Sequence, residues 1–430
     1  MRTHHEKKVK SPDPLAEKPV LIDARRAHQT GIVSYTKNGT AVLKVQRTTY
    51  RIPPVHQYDL TQATIFGLNE RLTTPELSPV IDPHGNTLRE AFNQEWTRYA
   101  AALERAGTGK PLDYGIYAFY ARERDLVRYC PAFWHRVVAV ASSSKLITDP
   151  RRRLSWMEIR SRLARTVIAV VGCSVGNNIA HAVVQDMRPD AIKLADKGFY
   201  KMENINRVRL GYRGMVGPGS ERRNATDLLL RNKATVTATQ LYSIDPYINV
   251  YAYEEGITPQ NIARFFNGTG REPPVNIVFE EADDPRVKIL IREEARRRRI
   301  PLIMLTDAGS AVQLDIMRYD KNKRLPLSHC VSDRELRRTT DAVYDNPGDR
   351  VAFFKFVDAL IGTDYRKDEL QRIIRMRGEI PTSTLIPQLG STAALAGAIG
   401  AEVAARLALG HEYPKRVFFN KRTFTVRKWR

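Results

Sequence analysis

The sequence predicts an α/β protein: a doubly wound, mostly parallel sheet with helices on both faces, preceded by a smaller α+β N-terminal domain. Three observations predict it. From residue 166 onward short apolar strands alternate with helices, the rhythm of parallel βαβ units. Between 19 and 130, strand-like alternation and turn pairs surround one helical stretch. The composition, 42% hydrophobic and 27% charged over 430 residues, allows two to three domains with real cores.

Taken in order, residues 1–18 read as a flexible basic arm and 19–148 as an α+β recognition module. There PVLIDARRA, TGIVSYTK and TAVLKVQRTTYRI alternate apolar and polar residues around Asn38-Gly39, which is hairpin chemistry. LREAFNQEWTRYAAALERAG has helical period and ends on glycine, and YGIYAFYARERDLVRYC returns to strands. The second domain, 149–430, opens with Ser155-x-x-Glu158, a capping box at a helix start. TVIAVVG, AIKLAD, INVYAY, NIVFEEADD and IPLIMLT read as strands. NNIAHAVVQDM, ATDLLLRNKATVTATQLYSID, PQNIARFFNG and PRVKILIREEARRRR are the helices between them. A polar stretch follows, then two helices over 351–377, a small-residue helix within 389–410, and a closing strand, RVFFNKRTFTVRK. Glu402 and Arg406 interrupt the small-residue helix, so it reads as a tightly packed helix of a soluble core rather than a membrane span.

Charge bounds the partners. Lys plus Arg minus Asp plus Glu is 69 − 47 = +22, which favours anionic ligands, acidic peptides or nucleic acid. The three cysteines (Cys130, Cys173, Cys330) are far apart with no C-x-x-C pair, so a reducing cytoplasm and no zinc are expected. The basic N-terminus has no apolar run behind it, so a signal peptide is not expected.

Three motifs carry chemistry. VVGCSVGNNIA places Gly172 and Gly176 at the first strand–helix junction, where a phosphate can meet free helix amides. It departs from G-x-G-x-x-G: Ser174 stands where a second glycine would be, and the loop is one residue short. Asp196 ends the second strand, 24 residues after Gly172, placed to accept from ribose hydroxyls. MENINR then supplies Asn204 and Arg207, and Lys233 sits on the next helix. Cations there suit a site that handles phosphoryl charge; a nicotinamide slot would want little positive charge. VFEEADDPRVK delivers Glu280, Glu281, Asp283 and Asp284 at a strand's carboxyl end, where magnesium takes one or two carboxylates plus phosphate oxygens. One of the two aspartates can instead cap the helix starting at Pro285.

From about residue 160 onward these motifs, with NKATVTATQLYSIDPYINV and the late PQLGSTAALAGAIGAEVAARLALG, occur in an order that resembles the ThiF, MoeB and HesA family, the ubiquitin-activating-enzyme-like adenylyltransferases. The resemblance implies a Rossmann-like sheet that binds ATP and Mg²⁺, adenylates a carboxylate and releases pyrophosphate. By position it implies that Gly172, Ser174 and Gly176 form the phosphate loop and Asp196 the ribose acid. Asn204, Arg207 and Lys233 would be nucleotide contacts, Arg207, Lys233 and Asp283 the catalytic set, and Asp283 the magnesium ligand. It further implies a homodimer in which an arginine ahead of the first strand, here Arg151, Arg152 or Arg153, reaches the partner's ATP site. The family's zinc-binding C-x-x-C pairs are absent. Cys330 is the one candidate thioester thiol on the carboxy-terminal side, with His329 beside it in a polar segment suited to crossing the ATP site. The carboxylate's carrier stays open: a small carrier protein, a ribosomal precursor peptide, a metabolite, or a tRNA-linked carboxylate. Two other readings remain, a nucleotide-binding module without catalysis and an NAD(P)- or FAD-dependent oxidoreductase; Asn204, Arg207 and Lys233 speak against the latter.

Overall fold

The computed structural model describes residues 18–23, 31–35, 41–45, 48–52, 64–66, 89–90, 93–105, 107, 115–120, 125–140, 154–211, 231–363 and 388–429. The expected boundary at 148/149, Arg151 to Arg153 and residues 1–17 of the arm lie outside them. The chain divides into two compact units, Met1–Tyr129 and Cys130–Arg430.

The first unit contains β1 (Val20–Asp23), β2 (Gly31–Tyr35), β3 (Ala41–Val45), β4 (Thr48–Ile52), β5 (Thr64–Phe66), β6 (Arg89–Glu90), α1 (Asn93–Arg105), β7 (Ile116–Tyr120) and β8 (Asp125–Tyr129). Two four-stranded sheets result, ordered β1-β7-β8-β6 and β4-β3-β2-β5. Tyr35 pairs with Ala41 across the span that holds Asn38-Gly39, so the hairpin forms where the turn pair predicts it.

The second unit begins with α2 (Ala132–Val140) and α3 (Trp156–Arg165), followed by β9 (Ile168–Val171), α4 (Val175–Met187) and β10 (Ala191–Ala195). Then come α5 (Lys233–Ile244), β11 (Asn249–Tyr253), α6 (Ile262–Asn267), β12 (Ile277–Glu280), α7 (Pro285–Arg298) and β13 (Leu302–Ala308). The chain finishes with β14 (Ala311–Met317), α8 (Asp333–Asp345), α9 (Arg350–Ile361), α10 (Gly390–Ala408), β15 (Arg416–Asn420) and β16 (Thr425–Trp429). The sheet order is β11-β10-β9-β12-β13-β14-β15-β16. The first five strands run parallel, and the last three continue the sheet antiparallel. Every residue of β9 is buried, as a strand with parallel neighbours and helix-covered faces requires. Strand order reverses between β9 and β12, which opens a crevice beyond their carboxyl ends.

Local chemistry fixes the helix ends. At α3 the capping box closes both ways: Ser155 Oγ accepts from the Glu158 amide at 3.3 Å, and Glu158 Oε2 accepts from the Ser155 amide at 2.8 Å. The small-residue helix is α10, with Ala393, Ala396, Ala401 and Ala404 fully buried. No helix among the described residues is long and apolar enough to cross a membrane.

Three expectations need correction, and one element is new. The helix read from Ala225 starts at Lys233, because Asn232 caps it by accepting from the Ala234 and Thr235 amides; residues 225–230 lie outside the described part. The polar stretch after β13 contains strand β14 and helix α8. The closing strand is a hairpin, with Asn420 paired to Thr425. Helix α2, just after the first unit, was not foreseen.

Candidate nucleotide site

The two glycines expected to form a phosphate loop pack closely against protein. Gly172 has φ +94°, its amide donates to Ala195 O at 2.8 Å, and a Cβ there would fall 2.3 Å from Glu281 O. A Cβ on Gly176 would fall 2.6 Å from Val170 Cγ1. Glycine therefore lets the loop press against the end of β12 and α4 press against β9. Between them, Ser174 occupies the N-cap of α4 without capping it. Its Oγ instead accepts from Arg207 Nε at 2.9 Å. The Asn177 amide turns back onto Ser174 O at 3.3 Å, and no side chain caps the amides before it, so the positive dipole end of α4 stays open to an anion. Cys173 is fully buried, and burial, followed by the Asp196 charge, pushes its thiol well above the ordinary range. It is a packing residue.

Asp196, the acid expected at a ribose, is held by the backbone. Asp196 Oδ2 accepts from the Cys173 amide and Oδ1 from the Gly198 amide, both at 2.7 Å. Asn232 Nδ2 donates to Asp196 O at 2.8 Å, tying the start of α5 to this turn. Lys233, the first residue of α5, donates its amide to Gly198 O, and its Nζ stands 5.9 Å from the centre of the Tyr200 ring. The Tyr200 hydroxyl in turn donates to Cys173 O at 2.7 Å. Loop, acid and lysine are thereby one hydrogen-bonded assembly.

Asn204 is buried in a 3-10 turn (Met202–Asn204), and its Oδ1 accepts from the Lys201 amide at 2.8 Å. It shapes the turn that presents Arg207. Arg207 is fixed further by Nη1 donating to Glu203 O and Asn206 Oδ1, while its carbonyl accepts from Asn178 Nδ2 at 2.6 Å.

The four acids at the end of β12 and just beyond it separate cleanly. Glu280 is fully buried and paired with Lys288 at 2.7 Å and Arg292 at 2.9 Å. Glu281 accepts from the Leu305 amide at 2.9 Å, and burial pushes its carboxyl well above the usual carboxylate range. Asp284 caps α7, accepting from the Arg286 and Val287 amides and from the Tyr344 hydroxyl. Burial opposes the shift, but these donors hold its carboxyl below the usual range. Asp283 is exposed and makes no hydrogen bond or ion pair among the described residues.

A fifth carboxylate, missed in the sequence, joins them. Asp307, near the end of β13, is 4% exposed; its Oδ1 accepts from Gln388 Nε2 at 2.7 Å, and its Oδ2 has no partner. Burial raises its pKa to about 7; Gln388 and Arg207 pull it down, and the Asp283 charge pushes it up. Its electrostatic neighbours are thus two of the residues the motifs singled out.

Cys330 lies elsewhere. Its Sγ accepts from Arg416 Nη2 at 3.1 Å, and Arg416 is bonded to Asp315 on β14 at 2.6 Å. Asp315 pairs with Met304 near the start of β13, so the thiol sits toward the amino ends of the parallel strands, away from the phosphate loop. The segment is also anchored, with Leu327 and Ser328 buried and His329 Nε2 bonded to Ile316 O. Among the described residues, the Cys330 segment is therefore not a loop over the nucleotide crevice.

The family model described as the ThiF family matches residues 152–430. The chain belongs to the ThiF family. A curated relative, the uncharacterized protein MT1398 of Mycobacterium tuberculosis, is 29% identical over 181 residues, which is 42% of this chain and 22% of that protein. The chain thus spans about a fifth of that relative's length. Among solved structures, Escherichia coli MccB aligns over 95% of this chain and 93% of its own, at 12% identity and TM-score 0.40. E. coli tRNA N6-threonylcarbamoyladenosine dehydratase, TcdA, in complex with ATP aligns over 64% and 95%, at 17% identity and TM-score 0.39. PaaA aligns over 68% and 82%, at 14% identity and TM-score 0.44. In this ThiF-family chain the glycine loop, Asp196, Arg207 and Lys233 converge on one crevice. Asp283 follows the strand next to the loop, and Arg151 to Arg153 lie outside the described residues.

Proposed function

We propose that this chain is an ATP- and Mg²⁺-dependent adenylyltransferase that activates a carboxylate and releases pyrophosphate. The uncapped first turn of α4, whose Ser174 is turned over to Arg207, carries the reading. A triphosphate seated on that turn would have Arg207 and Lys233 beside it and Asp196 toward its ribose. The carboxylate oxygen attacks the α-phosphorus, the bond to the pyrophosphate breaks, and the two cations stabilise the charge that develops. Asp283 is the acid whose oxygens remain uncommitted, and a hard cation that keeps water and phosphate ligands fits one such carboxylate. Magnesium there would neutralise phosphate charge. Among the described residues no three His, Cys, Asp or Glu cluster to hold a metal by themselves.

The carboxylate belongs to a carrier-protein C-terminus, a precursor peptide, a metabolite or a tRNA, recognised through the N-terminal unit of a homodimer. Pyrophosphate exchange tests the reaction. Labelled pyrophosphate should enter ATP when a cognate carboxylate from these classes is supplied. ATP binding without exchange for any of them would make the chain a nucleotide-binding module, and tight NAD(P) or FAD binding indifferent to Mg²⁺ would make it an oxidoreductase.

A further inference from the structure

The amino ends of the parallel strands carry a second concavity. A cavity of about 600 Å³ opens where the chain enters β9, β12 and β13. Arg162 and Arg165 of α3, Arg298 and Arg299 at the end of α7, and Arg318 after β14 line it, with one acid, Asp320. Arg298 is engaged by Glu294, and Arg318 by Asp320 and Glu412. Arg162, Arg165 and Arg299 form no ion pair among the described residues.

Helix ends explain part of this charge. α3, α7 and α10 all finish here, and each carboxyl terminus carries roughly half a negative charge. Three such ends offset about half of the three unpaired guanidinium groups, so positive charge is left over. The cations are arginines throughout, whose planar forks match phosphate oxygens better than a lysine does. Val275, Ile277 and Leu407 give the same cavity an apolar wall. Its volume lies within the range of about 300–1,000 Å³ that takes one small organic ligand. We propose that this basal cavity binds a phosphorylated small molecule. The four residues of β9 put it about 13 Å from the phosphate loop, so it is a site of its own.

Calorimetric titration of the full chain with ribose 5-phosphate, inorganic pyrophosphate and AMP tests this. The triple variant Arg162→Ala/Arg165→Ala/Arg299→Ala alters exposed side chains, and Arg165→Gln alone is the milder variant for folding. Expected is a loss of about tenfold or more in ribose 5-phosphate affinity in both, with AMP binding retained. Arg207→Ala/Lys233→Ala should do the reverse. Ribose 5-phosphate binding that is absent from the wild type, unchanged in the triple variant, or lost only with Arg207 and Lys233 overturns the proposal. So does salt-sensitive binding of a short single-stranded RNA that depends on these arginines while neither small phosphate binds.

Discussion

The ends of β12 and β13 reach the same crevice from neighbouring strands, yet two buried acids there, Glu280 and Asp307, are treated in opposite ways. After β12, Glu280 is neutralised by Lys288 and Arg292, and Asp284 is held by two amides and a tyrosine hydroxyl. At β13, Asp307 is almost as deeply buried but keeps one oxygen without a partner. Burial alone does not assign a role to a carboxylate. What decides is which donors hold each oxygen, and therefore which charge is free to meet a ligand.

The largest effect should come from undoing the compensation at β12. Arg292→Met leaves Glu280 with Lys288 alone and removes the donor to Leu327 O, and should cost about 3–5 kcal/mol in urea denaturation at neutral pH. A loss below about 1 kcal/mol would mean that Lys288 suffices and the contrast with Asp307 is shallow.

Asp307 should show the opposite sign. Its folded pKa, about 7, lies above the unfolded value, so the native state binds more protons through the intervening window. Stability should fall as pH rises from about 4 to 7, by up to about 4 kcal/mol, and level off above. Asp307→Asn should remove that slope and be the more stable protein at alkaline pH. Parallel stability–pH profiles for the two proteins would erase the contrast.

Asp283→Asn keeps shape and removes the one uncommitted charge after β12. Pyrophosphate exchange should fall about two to three decades while melting and most ATP affinity survive. Undiminished exchange would move the metal to another acid, Asp284, Glu281 or Asp307, whose Oδ2 has no partner. Asp284→Ala, by comparison, should cost about 1 kcal/mol of stability through loss of the α7 cap. Cys330→Ser should leave exchange and product formation unaltered; a hydroxylamine-labile thioester trapped on Cys330 would contradict this.

Periodicity made the parallel half of the sheet legible, because β9, β10 and β12 are short apolar runs buried on both faces. It failed at β14, where Gln313 and Asp315 look like loop polarity. In the fold they are buried and satisfied by each other, by Ile361 O and by Arg416. Helix α8 was lost in the same way: it is Arg-rich and buries only Leu336, Thr339 and Thr340. Within the site, sequence order located the four acids but could not rank them, since the groups that hold them come from Leu305, Arg292 and the distant Tyr344. Asp307 gave no signal at all. A lone aspartate after an apolar strand is what any turn would show, and its partner Gln388 lies 81 positions away.

Gly172 has a consequence of a mechanical kind. No Cβ fits between it and Glu281 O, and the Glu281 amide donates to Val171 O at 2.7 Å. The loop that would cradle phosphate and the segment that carries Asp283 therefore abut backbone to backbone, with no side chain between them to absorb movement. Packing this close leaves neither segment room to shift toward the other without backbone collision. A side chain at position 172 would therefore wedge the glycine loop and the Asp283 segment apart, whatever the crevice holds.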